Sequence, residues 1–209
     1  TAYEIRLSLV GSEMCIRDRK IILGSSSPSR KKLLKNTGLE FKVKSPTIDE
    51  ALQKKEFKGK KKDLAIYLAE KKALSINAGP KEIIIGADQV LLHNNKIYDK
   101  PKSIQEAKRH LKELSNKTHS LISGTVISKK NKIIWRHVSI SRMGMHKLTN
   151  TEIETYLSKS GSNILKCVGA YNLEGYGSTL FKKINGDFFT IVGLPLIQLL
   201  NAIKKISND

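Results

Sequence analysis

Short apolar runs and a helical repeat alternate at the start of the chain. The run KIILG at 20–24 ends at a glycine, which predicts a buried strand. Ser27 followed by Pro28 predicts a helix start, because a serine oxygen caps free amides and proline favours the first helical position. That helix is expected to end at Gly38, and the alternating LEFKVKS at 39–45 predicts a second strand. The chain therefore opens as strand, small-residue loop, helix and strand.

The next segments have less regular patterns. KKEFKGKKKD at 54–63 predicts a solvated loop. Apolar positions at helical spacing between Asp63 and Ala78 predict a helix. EIIIGADQVLLHNNKIYDKP at 82–101 predicts a buried strand that breaks at Gly86, then a second strand, an Asn-Asn hairpin and a third strand.

The second half of the chain mixes helices with a long hairpin. Helices are predicted at 103–114 and 149–159, each with a capping serine or threonine and a glutamate three residues later. The hairpin spans 118–148 and turns at KKNK. A glycine-rich segment at 169–195 is expected to pass through two short strands to a final helix at 195–204. This order predicts an α/β fold with a mixed twisted sheet and flanking helices.

The first nineteen residues differ in composition from the rest. TAYEIRLSLVGSEMCIRDR is relatively rich in arginine, and Arg6 and Glu13 interrupt its apolar patch, which argues against a secretory signal peptide. The segment resembles translated adaptor sequence. We interpret residues 1–19 as a non-native or disordered extension, with a native strand or arm as the alternative, and expect residues 20–209 to form a single domain.

The net charge and its distribution indicate which kinds of ligand the protein could bind. The formal net charge is +19, but the lysines are spread along the chain with few aromatic residues between them. This distribution argues against a dedicated nucleic-acid binder and favours small polyanionic substrates. No apolar run reaches the roughly 18 residues that would span a membrane. Cys15 and Cys167 have no metal or redox spacing, which favours a cytoplasmic location.

The serine-rich stretch GSSSPSR at 24–30 is the first candidate site. Small residues between a strand and a helix N-terminus present free amides and the positive end of the helix dipole, which together bind phosphate. Arg30 and Lys31 fall in the first turn, where the helix dipole alone favours acidic residues. A bound anion would explain them, although a plain serine-rich turn with a surface arginine fits equally well.

Carboxylates form the second candidate site. Asp88 follows an apolar strand, where α/β folds place catalytic groups, so it is a candidate general base or metal ligand. With Asp49 and Glu50 it would offer oxygen ligands to Mg²⁺ or Mn²⁺. A turn-forming or capping role for Asp88 is the alternative.

Two lysines are candidates for phosphate contacts. Lys100 precedes Pro101, which holds it in an extended conformation, and Lys72 lies within a predicted helix. Both are also consistent with ordinary surface lysines. The histidines lack zinc-binding spacing, and the sequence has no Walker A, GxGxxG or GxSxG motif.

Together these motifs resemble the Maf-like nucleotide pyrophosphatase family from about residue 20 to residue 203. SSSPSR is similar to the family's SxSPRR, LAEKKA to LAxxKA, GADQV to GADTV or GSDQV, and DKP to GKP, while EGYG and VGLP match its closing signatures. The resemblance implies a Maf/ITPase-like α/β fold with two lobes around a cleft. It also implies hydrolysis of nucleoside triphosphates to a monophosphate and pyrophosphate, with Mg²⁺ or Mn²⁺ as the divalent cofactor.

The resemblance also implies roles for individual residues. Asp88 would be the general base, and Glu50 and Asp88 would hold the metal. The residues expected to bind the phosphates are Ser25, Ser27, Arg30, Lys72 and Lys100.

Base selectivity is implied at three further positions. Gln89 and Glu174 resemble the branch of the family that acts on methylated guanosine triphosphate. Ser29 fits neither that branch nor the pyrimidine-selective branch. Glu174 could accept hydrogen bonds from N1 and N2 of a guanine, which favours a purine.

Other readings stay open at this point. A basic nucleic-acid-associated or cell-division regulatory binding protein without turnover is the alternative from another class. An enzyme that acts on a different phosphoanhydride is a third. A homodimer is compatible with the sequence.

Overall fold

The computed structural model describes residues 20–208, so the interpretation of residues 1–19 concerns a segment outside the described residues. The strands are β1 (Lys20–Gly24), β2 (Phe41–Val43), β3 (Glu82–His93), β4 (Lys96–Tyr98), β5 (Thr118–Lys129), β6 (Lys132–Met145) and β7 (Phe181–Asn185). The α-helices are α1 (Pro28–Lys35), α2 (Glu50–Glu56), α3 (Leu64–Leu74), α4 (Ile104–Leu114), α5 (Asn150–Ser160), α6 (Phe188–Val192) and α7 (Leu196–Asn208). Short 3-10 segments cover Lys61–Asp63, Gly161–Lys166, Val168–Ala170 and Tyr176–Leu180.

The strands form one mixed sheet in the order β2-β1-β3-β5-β6-β7, with β4 paired to β3. β1 runs parallel to both β2 and β3, whereas β5, β6 and β7 follow as antiparallel neighbours. The predicted α/β fold with a mixed sheet and flanking helices is therefore confirmed.

β3 does not break at Gly86, so that prediction was wrong. The strand continues through the glycine, which pairs with Gly24 of β1 and Val126 of β5. A Cβ atom at Gly86 would lie 2.3 Å from the carbonyl oxygen of Ala69 and 2.7 Å from the Cβ of Ala73, both in α3. The glycine is needed for the close approach of the helix, and it leaves the strand intact.

α2 was not predicted, and its last three residues lie in the segment 54–63 that was predicted to be a solvated loop. The Asp49 carboxylate caps this helix and accepts hydrogen bonds from the amides of Ala51 and Leu52. No residue of α2 is buried, so the helix leaves no apolar repeat in the sequence. Its cap was its one local signal.

The glycine-rich segment contains one strand, β7, where two were predicted. The second predicted strand is the short helix α6. Asp187 caps α6 by accepting a hydrogen bond from the amide of Thr190, and Gly193 ends it with φ 111°. The FFTIV run is apolar throughout and too short to show a period, which is why a strand was predicted there.

The core lies on both faces of the sheet and in a second region beyond it. One face packs against α1 and α7, and the other packs against α3. Residues of α4, α5 and the neighbouring 3-10 segments form a separate apolar cluster that includes Leu111 and Tyr156. These two regions are the two lobes, and the candidate site lies between them. No helix within residues 20–208 has the length and hydropathy to cross a membrane.

Candidate active site

A cavity of about 530 Å³ opens between the β1–α1 loop and the segment 165–174. Of the side chains that the sequence assigned to phosphate, metal or base binding, the walls contain all except Asp49: Ser25, Ser27, Ser29, Arg30, Glu50, Lys72, Asp88, Gln89, Lys100 and Glu174. The structure therefore brings these residues together from separate parts of the chain. Asp49 does not line the cavity.

The β1–α1 loop forms one wall of the cavity. Ser27 is the N-cap of α1, and its hydroxyl accepts a hydrogen bond from the Arg30 amide at 3.4 Å. The Ser25 hydroxyl is buried and accepts a hydrogen bond from the Ser27 amide at 3.2 Å. The sequence prediction of strand, small-residue loop and helix N-terminus is confirmed, and the N-terminal end of α1 borders the cavity.

The Arg30 side chain is turned inward and is only 9% exposed. Its Nε donates to the carbonyl oxygen of Gly193 at 2.8 Å, and Nη1 donates to Ser25 Oγ at 3.2 Å and to the carbonyl oxygen of Ala87 at 3.0 Å. Burial lowers the pKa of Arg30, while the charges of Asp88 and Glu50 act in the opposite direction. All three acceptors are neutral.

The guanidinium group still has unused donors. It carries five N–H groups, and the three bonds to Gly193, Ser25 and Ala87 involve only Nε and Nη1. Within residues 20–208, Nη2 has no hydrogen-bond partner and no carboxylate forms an ion pair with Arg30. Arg30 is thus a fixed, buried cation with two free donors.

A second charged group centres on Lys72 of α3. Its Nζ lies 2.6 Å from Asp88 Oδ1 and 2.8 Å from Glu50 Oε1. Lys72 and Asp88 are buried, whereas the Glu50 side chain is 48% exposed. Burial alone would raise the pKa of Glu50, but the hydrogen bond and charge of Lys72, with the charges of Lys100 and Lys54, bring it below its usual value.

Lys100 is the other cation at this end of the cavity. It follows β4 and precedes Pro101, as the sequence predicted, and no hydrogen bond or ion pair with another described residue holds its ammonium group. The adjacent Asp99 forms an ion pair with Lys54 of α2. Lys100 is therefore available to an anionic ligand.

Another part of the cavity lining is mostly apolar and includes one carboxylate. Leu165, Val168 and Tyr171 line it, and Glu174 lies at its rim. Lys32 of α1 places its Nζ 3.4 Å from Glu174 Oε1. Burial raises the pKa of Cys167, Lys100 lowers it and Glu174 raises it, so this thiol lies near both the cationic end and the carboxylate.

Sequence reasoning missed Lys32, Cys167 and Tyr171 as parts of this site, and it gave no role to Gly193 although VGLP was matched as a motif. Cys167 was assessed only for metal and redox spacing, and Tyr171 carries no motif of its own beyond the resemblance. Lys32 belongs to a run of basic residues in which no position stands out. Only the tertiary structure distinguishes them.

The residues available to a divalent metal are two carboxylates. The described part of the chain contains no group of three or more His, Cys, Asp or Glu side chains that could hold a metal ion. Mg²⁺ is commonly bound by one or two carboxylates together with substrate phosphates and water. Glu50 and Asp88 fit that requirement, and they do not form a complete protein cage.

A buried arginine in the first turn of a helix, with a lysine and two carboxylates in the same cavity, is typical of an anion-binding site in an α/β protein. The sequence was also compared with known protein families and with curated proteins. The family model described as Maf-like protein matches residues 20–206, and the chain belongs to that family.

Two curated relatives cover nearly the whole chain. The 7-methyl-GTP pyrophosphatase of Brucella abortus biovar 1 (strain 9-941) is 43% identical over 190 residues, which cover 89% of this chain and 96% of the relative. The nucleoside triphosphate pyrophosphatase of Hyphomonas neptunium (strain ATCC 15444) is 40% identical over 187 residues, which cover 88% and 94%. Among solved structures, a HAM1 protein from Coxiella burnetii matches 62% of this chain and 74% of its own at 12% identity, with a TM-score of 0.41. That likeness is too distant to bear on function.

Proposed function

We propose that this protein is a nucleoside triphosphate pyrophosphatase, which hydrolyses the bond between the α and β phosphates to release a nucleoside monophosphate and pyrophosphate. Membership of the Maf-like family and the names of the two relatives support this activity. The observation that carries the proposal is Arg30. An unpaired buried charge costs several kcal/mol in general. The charges of Asp88 and Glu50 offset part of that cost for Arg30, and a phosphate that accepts from both free Nη2 donors would offset more of it.

Arg30 and Lys100 are the side chains proposed to bind the triphosphate. A bound nucleoside triphosphate brings about four negative charges, which spread toward the leaving pyrophosphate in the transition state. Arg30 is fixed before the substrate arrives, so it loses little freedom on binding. Lys100 has no protein partner among the described residues and would contribute a second charge.

Asp88 is the proposed general base. It would accept a proton from a water molecule whose oxygen attacks the α phosphorus, while the bond from that phosphorus to the bridging oxygen breaks and pyrophosphate leaves. Lys72 holds Oδ1 of Asp88 at 2.6 Å, which fixes the carboxylate and leaves Oδ2 for the water.

Glu50 and Asp88 would hold a divalent cation, as the resemblance implies. When bound, such a cation would polarise phosphoryl oxygens and neutralise part of the developing charge. Lys72 already lies between the same two carboxylates, so its ammonium group would share them with the cation. The choice between Mg²⁺ and Mn²⁺ is part of the test below.

Guanine nucleotides, including 7-methylated ones, are the proposed substrates. Glu174 lies at the apolar end of the cavity, where its carboxylate could accept from N1–H and N2–H of guanine. Methylation at N7 places a positive charge on the base, which a carboxylate stabilises further. One of the relatives is named for 7-methyl-GTP. A cytoplasmic location fits this substrate class and stays a prediction.

Pyrophosphate release tests the proposal. Purified protein would be given canonical and 7-methylated nucleoside triphosphates with Mg²⁺, Mn²⁺ or EDTA. We expect cation-dependent release of pyrophosphate and monophosphate in equal amounts, fastest for a guanine substrate. Folded protein that turns over no member of the panel would overturn the proposal. Steeply salt-dependent DNA binding by that same inactive protein would instead support the basic binding protein.

A further inference from the structure

Asn172 lines the same cavity as Glu174, which follows it two residues later, and sequence reasoning gave it no role. Its Oδ1 accepts a hydrogen bond from the backbone amide of Glu174 at 3.0 Å. A backbone amide only donates, so the oxygen of the Asn172 side chain must face it. Within residues 20–208, the nitrogen of the same side chain, Nδ2, has no hydrogen-bond acceptor. Asn172 therefore offers a bound ligand an amide donor whose orientation the protein has already fixed.

The backbone around Asn172 is also held in place. Its carbonyl oxygen accepts from the amide of Gly175 at 3.4 Å. The chain then packs directly against it, because a Cβ on Gly177 would lie 2.3 Å from that same carbonyl oxygen and 3.0 Å from the Asn172 amide nitrogen. On the other side, the hydroxyl of Tyr156 in α5 donates to the carbonyl oxygen of Ala170 at 3.3 Å. A donor that is fixed before the ligand arrives is what a selective site needs.

Asn172 and Glu174 together offer a donor and an acceptor on one turn. The Glu174 side chain is only 19% exposed, and an ionised carboxylate can only accept hydrogen bonds. Guanine presents the acceptor O6 next to the donors N1–H and N2–H, whereas adenine has an amine donor in the place of O6. The turn therefore carries one group for each kind of atom on this edge of a guanine.

We propose that Asn172 is a specificity-determining residue, which donates from Nδ2 to O6 of a guanine base while Glu174 accepts from N1–H and N2–H. This inference rests on the proposed function and adds a residue to it. Adenine would bring its amine against the Asn172 amide, and two donors that face each other leave both without an acceptor. Methylation at N7 leaves O6 in place, so Asn172 should not distinguish methylated from unmethylated guanine.

The first experiment changes one atom of the substrate and one atom of the side chain. In 6-thio-GTP a sulfur, which is a weak acceptor, replaces O6. Asn172→Asp keeps the oxygen that accepts from the Glu174 amide and replaces the Nδ2 donor with a second oxygen. We expect wild-type kcat/KM to be about three- to tenfold higher for GTP than for 6-thio-GTP, as one hydrogen bond would give. In Asn172→Asp this ratio should fall to near one.

Asn163→Asp is the matched control for the added charge. Asn163 is exposed and does not line the cavity. The variant should keep the wild-type ratio of GTP to 6-thio-GTP. A wild-type ratio that persists in Asn172→Asp would overturn the inference.

A second substrate pair separates direct contact by Asn172 from support of Glu174. ITP lacks the N2 amine and keeps O6, so the ratio of kcat/KM for GTP to that for ITP reports on Glu174. We expect Glu174→Gln to lower this ratio and Asn172→Asp to leave it near wild type. If both ratios fell together in Asn172→Asp, Asn172 would act only through the turn that carries Glu174, and the inference would be wrong. If Asn172→Asp fails to fold, Asn172→Ala also lacks the donor and should likewise lose the preference for GTP over 6-thio-GTP.

Failure of the proposed function would look different. It would appear as an absence of turnover of every triphosphate by wild-type protein. Calorimetry with GMP and 6-thio-GMP would still decide the role of Asn172, because binding needs no catalysis. We expect wild-type protein to bind GMP more tightly and Asn172→Asp to bind the two alike. Wild-type protein that does not distinguish the two monophosphates, or binds neither, would overturn the inference.

Discussion

Lys72 Nζ lies between Asp88 and Glu50, 2.6 Å from the first carboxylate and 2.8 Å from the second. This contact joins α3, the middle of β3 and the first residue of α2 at one point in the cavity. Removal of one partner from a buried ion pair usually costs about 3–5 kcal/mol because a charge is left unpaired. Here a second carboxylate remains for Lys72 when Asp88 is neutralised.

Asp88→Asn should therefore remove catalysis and spare the fold. The amide has the shape of the carboxylate and cannot accept the proton of an attacking water, so we expect turnover to fall by about 10²- to 10⁴-fold. Pyrophosphate release and thermal unfolding would be measured on the same samples. Asp63→Asn is a matched control, because Asp63 makes no side-chain capping bond and does not line the cavity. A folded Asp88→Asn protein with a near-normal rate would exclude Asp88 as the base.

Lys32→Met should weaken discrimination at the base end. Lys32 holds Oε1 of Glu174 at 3.4 Å, and its loss would leave the carboxylate free to rotate at the rim of the cavity. An exposed pair contributes at most about 1 kcal/mol, so we expect kcat/KM for guanine nucleotides to fall two- to fivefold, mainly through KM. Lys31→Met is the control, since this neighbour is exposed and forms no ion pair with Glu174. Equal effects of the two substitutions would contradict a role for Lys32.

The sequence predicted those parts of the fold that local chemistry determines. Ser27 and Pro28 predicted the start of α1. The Asn94–Asn95 pair predicted the turn between β3 and β4, where both residues adopt positive φ. The ordered motifs also predicted which side chains would meet in the cavity. Their shared location is observed, and their catalytic roles stay predictions.

Contacts between distant segments could not be predicted in the same way. Arg30 and Gly193 are separated by 163 residues, and nothing near either one indicates the other. Gly86 illustrates a related error, because a glycine in a strand is equally consistent with a break and with a helix packed directly above it. The choice depends on where α3 lies, which is a property of the tertiary structure.

Gly124→Ala should disturb the site through the backbone of α3. Gly124 pairs with Asp88 across β3 and β5, and a Cβ there would lie 2.5 Å from the carbonyl carbon of Ala65 and the amide nitrogen of Ile66. Because backbone atoms cannot move aside alone, α3 would shift and carry Lys72 with it. We expect a loss of about 1–3 kcal/mol in the free energy of unfolding, measured with urea, and a lower turnover.

Gly79→Ala provides the comparison for that substitution. Its added methyl group would meet only the Glu82 side chain, of which Oε2 is nearest at 3.6 Å, an ordinary contact. We expect near wild-type stability and turnover. If Gly124→Ala behaved in the same way, α3 would not be held as closely to β5 as the structure indicates.

His119 should make the free energy of unfolding depend on pH. It is 2% exposed, and its Nε2 lies 2.7 Å from the hydroxyl of Tyr171. Burial lowers the pKa of His119 to about 4, with a smaller contribution in the same direction from His93. Between the usual histidine pKa of about 6.5 and that value, the unfolded chain binds more protons than the folded one. Stability attributed to His119 is therefore complete above pH 6.5 and declines as the pH falls toward 4.

Urea unfolding at pH 7.5 and pH 5.0 measures this effect. We expect His119 to account for a loss of about 2 kcal/mol between the two pH values, and His119→Phe should remove that part of the slope whatever its effect at pH 7.5. His110 and His137 also have lowered pKa values because of burial, so part of the slope should remain. An unchanged slope in His119→Phe would mean that His119 takes up protons equally well in the folded and unfolded states, which its burial against Tyr171 argues against.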